Sequence, residues 1–133
     1  MTLEAGQQLA EHQYAVTRAD LVRYAGASGD FNPIHWSDRV ATSVGLPGVI
    51  AHGMYTLALA SRAVVAWAGG VDRVVEFGGR FTKPVEVPDD DIGTTVRVSG
   101  TVADVTDGLA RIDLTVTCGG TKVLGMTRAL VRC

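Results

Sequence analysis

The segment Gly53 to Ala68, GMYTLALASRAVVAWA, constrains this chain more than any other stretch. Read at helical period, its polar side chains are Thr56, Ser61 and Arg62, so an isolated helix would expose apolar surface on nearly every side. Something must wrap most of its circumference. A bilayer would do so, but the run is shorter than the ~20 residues a membrane span needs and carries Arg62. That leaves a buried core helix with a curved sheet as its wrapper.

The residues that follow supply the sheet. VVEFGGRFTKPV, TTVRVSGTVADV, LARIDLTVTC and TKVLGMTRALVRC all read as strands. The third is the cleanest, because Ala110, Ile112, Leu114, Val116 and Cys118 alternate with Arg111, Asp113, Thr115 and Thr117. Asp107-Gly108 and Gly119-Gly120 sit between consecutive runs, where tight hairpins need residues tolerant of positive φ. The last three strands are therefore expected to form an antiparallel meander. A long apolar helix followed by a meander, without βαβ alternation, gives an α+β domain with the helix on one sheet face.

Ahead of the central helix, residues 13 to 16 read as a short first strand. Thr17 and Asp20 then form a capping box opening the helix LVRYAGA, with Gly26 and Gly29 marking its end. From Asp30 to Gly48 the chain is rich in loop signals around a short helix at Ser37 to Ser43.

At 133 residues the chain is expected to be one domain, 1–133, with a single core. A formal net charge of -2, with no long run of like charges, gives nucleic acid no electrostatic footprint. Cys118 and Cys133 lack metal-ligand spacing and read as free thiols of a reducing compartment, with a disulfide as the alternative. MTLEAGQQLAEHQ has neither the basic region nor the apolar region of a signal peptide, so a cytoplasmic location is the expectation.

The chemistry concentrates in SGDFNPIHWSD, Ser28 to Asp38, and VIAHGM, Val49 to Met54. Pro33 fixes its own φ and pushes Asn32 out of helical geometry, so the backbone between Asp30 and His35 is stiffened. A carboxylate and an imidazole held together can bind one water and move its protons, as hydration, dehydration or hydrolysis requires. Gly53 follows His52 at the start of the apolar helix, where unpaired backbone N–H groups could stabilise an oxyanion.

Each residue also has a plainer reading. Asp30 and His35 could be capping and surface residues, and His52 a structural histidine. Ser61 could bond a carbonyl one turn back in its helix. Asp30, His35 and His52 could ligate a metal, although no compact ligand motif is present and the expectation is none. Trp36, Trp67 and Phe81 read as packing, with Trp36 placed to line a pocket. The cations at 62, 73, 80 and 83 read as solvated charges, with contact to an anionic carrier as the alternative.

The pattern YAGASGDFNPIHWSD, then Ala41, GLPGVIAHGM and Ser61, resembles the MaoC-like, (R)-specific enoyl hydratase family. Within it the chain is most similar to the beta-subunit group of the (3R)-hydroxyacyl-ACP dehydratases of the mycolic-acid pathway, a likeness that extends to TRADLVRYAG and RFTKPVEVP. The resemblance implies a hot-dog fold, a long helix wrapped by an antiparallel sheet, with Asp30 to Gly48 as the overhanging segment typical of hydratases. It implies Asp30 and His35 as the catalytic pair and the Gly53 N–H as the oxyanion donor. Asn32 and Ser61 would support the site beside His52.

The implied reaction is reversible syn hydration of trans-2-enoyl thioesters of CoA or ACP to (3R)-3-hydroxyacyl thioesters, without cofactor. A homodimer is expected, or a heterodimer with a related hot-dog subunit, and no nucleic acid or membrane partner. Two alternatives stand: a hot-dog acyl thioesterase, which would lack the D-x-N-P-x-H segment, and a non-catalytic acyl-binding subunit.

Overall fold

The computed structural model describes residues 2–133. The elements are β1 (Gln8–Val16), α1 (Arg18–Ser28), a 3-10 turn (Pro33–His35), α2 (Asp38–Ser43), α3 (Gly53–Ala68), a second 3-10 turn (Val71–Arg73), β2 (Val74–Phe81), β3 (Thr94–Thr106), β4 (Leu109–Cys118) and β5 (Thr121–Arg132). The five strands form one sheet in the order β1-β3-β4-β5-β2. Every pairing is antiparallel. This is the expected α+β hot-dog architecture.

The meander follows from its turns. At Asp107-Gly108 φ is 54° and 76°, and at Gly119-Gly120 it is 59° and 78°, positive at both central residues as a two-residue hairpin of matching twist demands. Register then sets the inner face: Val98 lies opposite Val116, Val102 opposite Ile112, and Ile112 opposite Ala129. All five of these side chains are buried.

Helix α3 lays Thr56, Leu59, Ala60, Ala63, Val64 and Trp67 on that face, a three-and-four spacing that makes one stripe of a helix. Each fully buried Leu, Ile or Val there contributes about 1.5–3 kcal/mol relative to exposure. The alanines let the helix approach the sheet closely, and β3 accommodates Trp67 with a glycine. A Cβ on Gly100 would lie 2.8 Å from the Trp67 ring. The indole N–H donates to the Ala10 carbonyl at 2.8 Å, so Trp67 packs as expected.

Several details differ from the sequence reading. The sheet covers one stripe of α3 rather than most of its circumference, and Met54, Ala58, Arg62 and Ala66 remain exposed. Two of these four are alanines, which leave little apolar area needing cover. Strand β1 begins at Gln8 rather than residue 13, because its polar N-terminal half is held by pairing with β3 rather than by apolar alternation. Gly26 lies inside α1, which runs on to Ser28 and ends at Gly29 in the left-handed conformation. The Thr17–Asp20 capping box forms as expected.

Strand β2 stops at Phe81, short of the VVEFGGRFTKPV run. Beyond it the chain turns to pin the segment before α3: Ala51 N–H donates to Val85 O at 2.8 Å, and Val87 N–H to Val49 O at 3.0 Å. Arg18 binds Asp38 with two bonds of 2.9 and 3.0 Å and also donates to Val87 O at 2.7 Å. Asp38 in turn accepts from Val49 N–H at 2.9 Å. The N-terminus of α3 is thereby braced against α1 and α2. Val49 N–H first, then Arg18, holds the Asp38 carboxyl below its ordinary pKa.

Candidate active site

The loop after α1 is built from short polar side chains bonding their own backbone. Ser28 Oγ accepts from Asp30 N–H at 3.2 Å, Asp30 Oδ1 from Asn32 N–H at 3.1 Å, and Asn32 Oδ1 from Ile34 N–H at 3.2 Å. The last bond caps the Pro33–His35 turn, with Pro33 at the position where a missing N–H costs nothing. Asn32 thus bonds the loop at both its backbone N–H and its side chain. Trp36 does not line a pocket with His35: its side chain is exposed, and its indole N–H donates to Phe31 O at 3.0 Å, closing the loop on itself.

This turn delivers His35 inward, 8% exposed, against the strand-like segment before α3. Ile50 N–H donates to Ile34 O at 3.2 Å, and His35 Nδ1 meets Ile50 O at 2.8 Å. A carbonyl can only accept, so Nδ1 carries the hydrogen, and in the neutral tautomer the lone pair stands on Nε2. That nitrogen is 3.8 Å from Asp30 Oδ2. Two acceptors at that separation do not bond each other. One water could reach both from off the line joining them, with bonds of ~2.8 Å and an angle narrower than tetrahedral.

His52 sits behind this pair. Its ring stacks on His35 with centroids 3.8 Å apart and planes inclined by 21°, and Tyr24 meets it edge-on at 4.8 Å. His52 Nε2–H donates to the backbone oxygen of Asp30 at 3.1 Å, which leaves Nδ1 buried without a hydrogen-bond partner. Burial, against the opposing pull of the Asp30 carbonyl, holds the His52 pKa below its ordinary value. The ring is therefore neutral near physiological pH. A buried unpaired nitrogen is a cost, which the stack and the Asp30 bond must offset.

The histidines and Asp30 bring their nearest ligating atoms within 4.8 Å of one another, the set considered above for a metal. The geometry suits an ion poorly. Imidazole lone pairs lie in the ring plane, and two stacked, nearly parallel rings direct theirs side by side rather than to one point.

At the start of α3 no side chain caps the helix, and the Gly53 N–H precedes the first helical carbonyl. Gly53 and His35 line the same cavity of about 390 Å³, together with Ile50, Thr56, Phe81, Lys83 and Leu124. Asp30 and His52 line a second hollow beside it, which shares Gly53, and Asn32 bonds the loop between Asp30 and His35. Ser61 lines neither of these two hollows. Its Oγ–H donates to Ala58 O at 2.7 Å, and it lines a hollow with Leu57, Tyr24 and Met54, the last two of which also border the hollow of Asp30 and His52.

Sequence reasoning missed three participants. Arg18 and Asp38 brace the site from helices whose contact depends on tertiary packing. Phe81, read as packing, is 57% exposed and lies over Gly53. Among the cations, Lys83 reaches the cavity wall, while Arg62 sits 4.8 Å from the centre of the Tyr14 ring. No helix is long and apolar enough to cross a membrane among the described residues.

Comparison with known proteins gives a consistent picture. The family model described as MaoC like domain matches residues 2–122. The 3-hydroxyacyl-thioester dehydratase X of Mycobacterium tuberculosis is 41% identical over 73 residues, which are 55% of this chain and 25% of that protein. A solved MaoC-like dehydratase superposes with a TM-score of 0.93 at 33% identity, covering 98% of this chain and 40% of the other. The unliganded R-hydratase PhaJ1 of Pseudomonas aeruginosa superposes with a TM-score of 0.82 at 28% identity, covering 98% of this chain and 82% of that one. The chain spans 30% or less of the length of the first curated relatives it matches.

Proposed function

The chain belongs to the MaoC-like dehydratase family, and from that premise we propose that it adds water reversibly and syn to trans-2-enoyl thioesters, giving (3R)-3-hydroxyacyl thioesters. The observation that carries the reading is the 3.8 Å separation of Asp30 Oδ2 and His35 Nε2, near enough for one water to bond both, with His35 and Gly53 lining one cavity.

The steps follow from the atoms present. Water donates one hydrogen to Asp30 Oδ2, which orients it, and the other to His35 Nε2. As the water oxygen bonds C3, its proton passes to Nε2 and the electron pair of the C2–C3 double bond moves toward the thioester carbonyl. The Gly53 N–H stabilises the charge on that oxygen, an oxyanion-hole role for which an uncapped helix end is suited. The imidazolium then returns the proton to C2 on the same face, which makes the addition syn and leaves His35 neutral. In dehydration His35 takes the C2 proton first. No cofactor takes part. Asn32 and His52 hold the loop, and Ser61 stands outside the reacting group.

The substrate is an acyl-CoA or acyl-ACP. Lys83 on the cavity wall favours an anionic carrier, while the largely apolar lining suits an acyl chain. Chain 1–133 acts as one catalytic domain of the cytoplasm. It pairs with a second copy or a related subunit through β2, an edge strand bearing exposed Val75.

Steady-state assay with crotonyl-CoA tests the reading. Loss of enoyl absorbance without release of free thiol is expected. Thiol release with the enoyl group intact would make the protein a thioesterase instead.

A further inference from the structure

Two hollows meet at Gly53. The larger holds His35, and the smaller, about 260 Å³, holds Asp30 and His52. Gly53 and Phe81 are the residues they share. The catalytic pair is thus 3.8 Å apart yet divided between two spaces, with the Phe81 ring at the boundary.

The ring occupies the space a side chain at position 53 would take. A Cβ on Gly53 would lie 3.0 Å from Phe81 Cε1 and 3.1 Å from Cδ1 and Cζ. Yet the side chain is 57% exposed, so it adds little to the core. Its backbone is fixed: Phe81 ends β2 opposite Leu124, and Thr82 N–H donates to Val123 O at 3.2 Å. An exposed aromatic ring held by a rigid strand against the oxyanion glycine is placed to shape the substrate.

We propose that Phe81 is a specificity-determining residue that restricts the site to enoyl thioesters unsubstituted at C2. The proposal rests on the hydration reading. With the thioester oxygen on the Gly53 N–H, C1 lies beside Gly53 and C2 one bond further, turned toward His35. The flank of C2 nearest the Gly53 Cα faces the ring. Hydrogen fits there, whereas a methyl group needs the space the ring occupies. An apolar wall discriminates one carbon by roughly 10–200-fold.

The test is kcat/KM for crotonyl-CoA and for 2-methylcrotonyl-CoA, measured on the wild type, Phe81→Ala and Phe81→Leu. The wild type is expected to favour crotonyl-CoA by about tenfold or more. In Phe81→Ala that preference should shrink by about tenfold or more, chiefly by a gain on the methylated thioester, with Phe81→Leu intermediate. Circular dichroism reports folding, and Phe81→Leu carries the test if the alanine variant does not fold. An unchanged preference in a folded variant overturns the role of Phe81 while leaving the hydration reading in place. A wild type inert toward both thioesters overturns the hydration reading, and the role of Phe81 with it.

Discussion

The imidazole of His52 lies 3.8 Å from that of His35, nearly parallel to it, while its Nε2–H bonds the backbone oxygen of Asp30. One buried ring therefore touches both members of the proposed acid/base pair, and protonating it would place a buried cation against His35. Folding keeps the His52 pKa below its value of 6.5 in an unfolded chain. Its contribution to stability is then complete above that pH and is lost as pH falls from 6.5 toward the lowered folded-state value, because the unfolded chain binds the proton more readily. Thermal unfolding from about pH 8 to about pH 5 checks this, with Asp30, His35 and Tyr24 as the groups facing the ring. The midpoint of the wild type should drop more steeply than that of His52→Gln, and parallel curves would contradict it.

Gly100 makes room for Trp67, and the closeness of that contact sets a second expectation. Gly100→Val would drive its side chain into the indole and cost about 1–3 kcal/mol. Urea unfolding should show a lower midpoint with an unchanged slope. A midpoint equal to the wild type would mean that the helix and sheet are packed more loosely than described.

Ser61 supplies a contrast with the proposed catalytic pair. Its hydroxyl is satisfied by Ala58 O at 2.7 Å and faces another hollow. Ser61→Ala should leave kcat for crotonyl-CoA within about threefold of the wild type, far from the ~10²-fold or greater loss that marks an acid/base group. A hundredfold fall would place the serine in the reacting group.

Where local rules decided the structure, the sequence was legible. The bounds of α3 follow from its apolar run, the capping box from Thr17 and Asp20, and the meander from Asp107-Gly108 and Gly119-Gly120. Asp30, Asn32 and His35 could be read together because Pro33 stiffens a short loop that holds them all. Contacts made by distant segments could not be read. The His35–His52 stack depends on Ile50 pairing with Ile34, and the brace of Arg18, Asp38 and Val49 joins three elements through side chains whose sequence spacing carries no period. Phe81 looked like packing because it is aromatic and lies within a strand-like run. Only the position of the strand at the sheet edge, beside the start of α3, turns it toward the cleft.

The central claim is that Asp30 and His35 act together on one water. It is tested most directly by the turnover of crotonyl-CoA in the wild type, Asp30→Asn and His35→Gln, each checked by circular dichroism for an unchanged fold. Each substitution removes a proton acceptor while keeping the shape of the side chain, so each should lower kcat by ~10²–10⁴-fold. Turnover equal to the wild type in both folded variants would contradict the account.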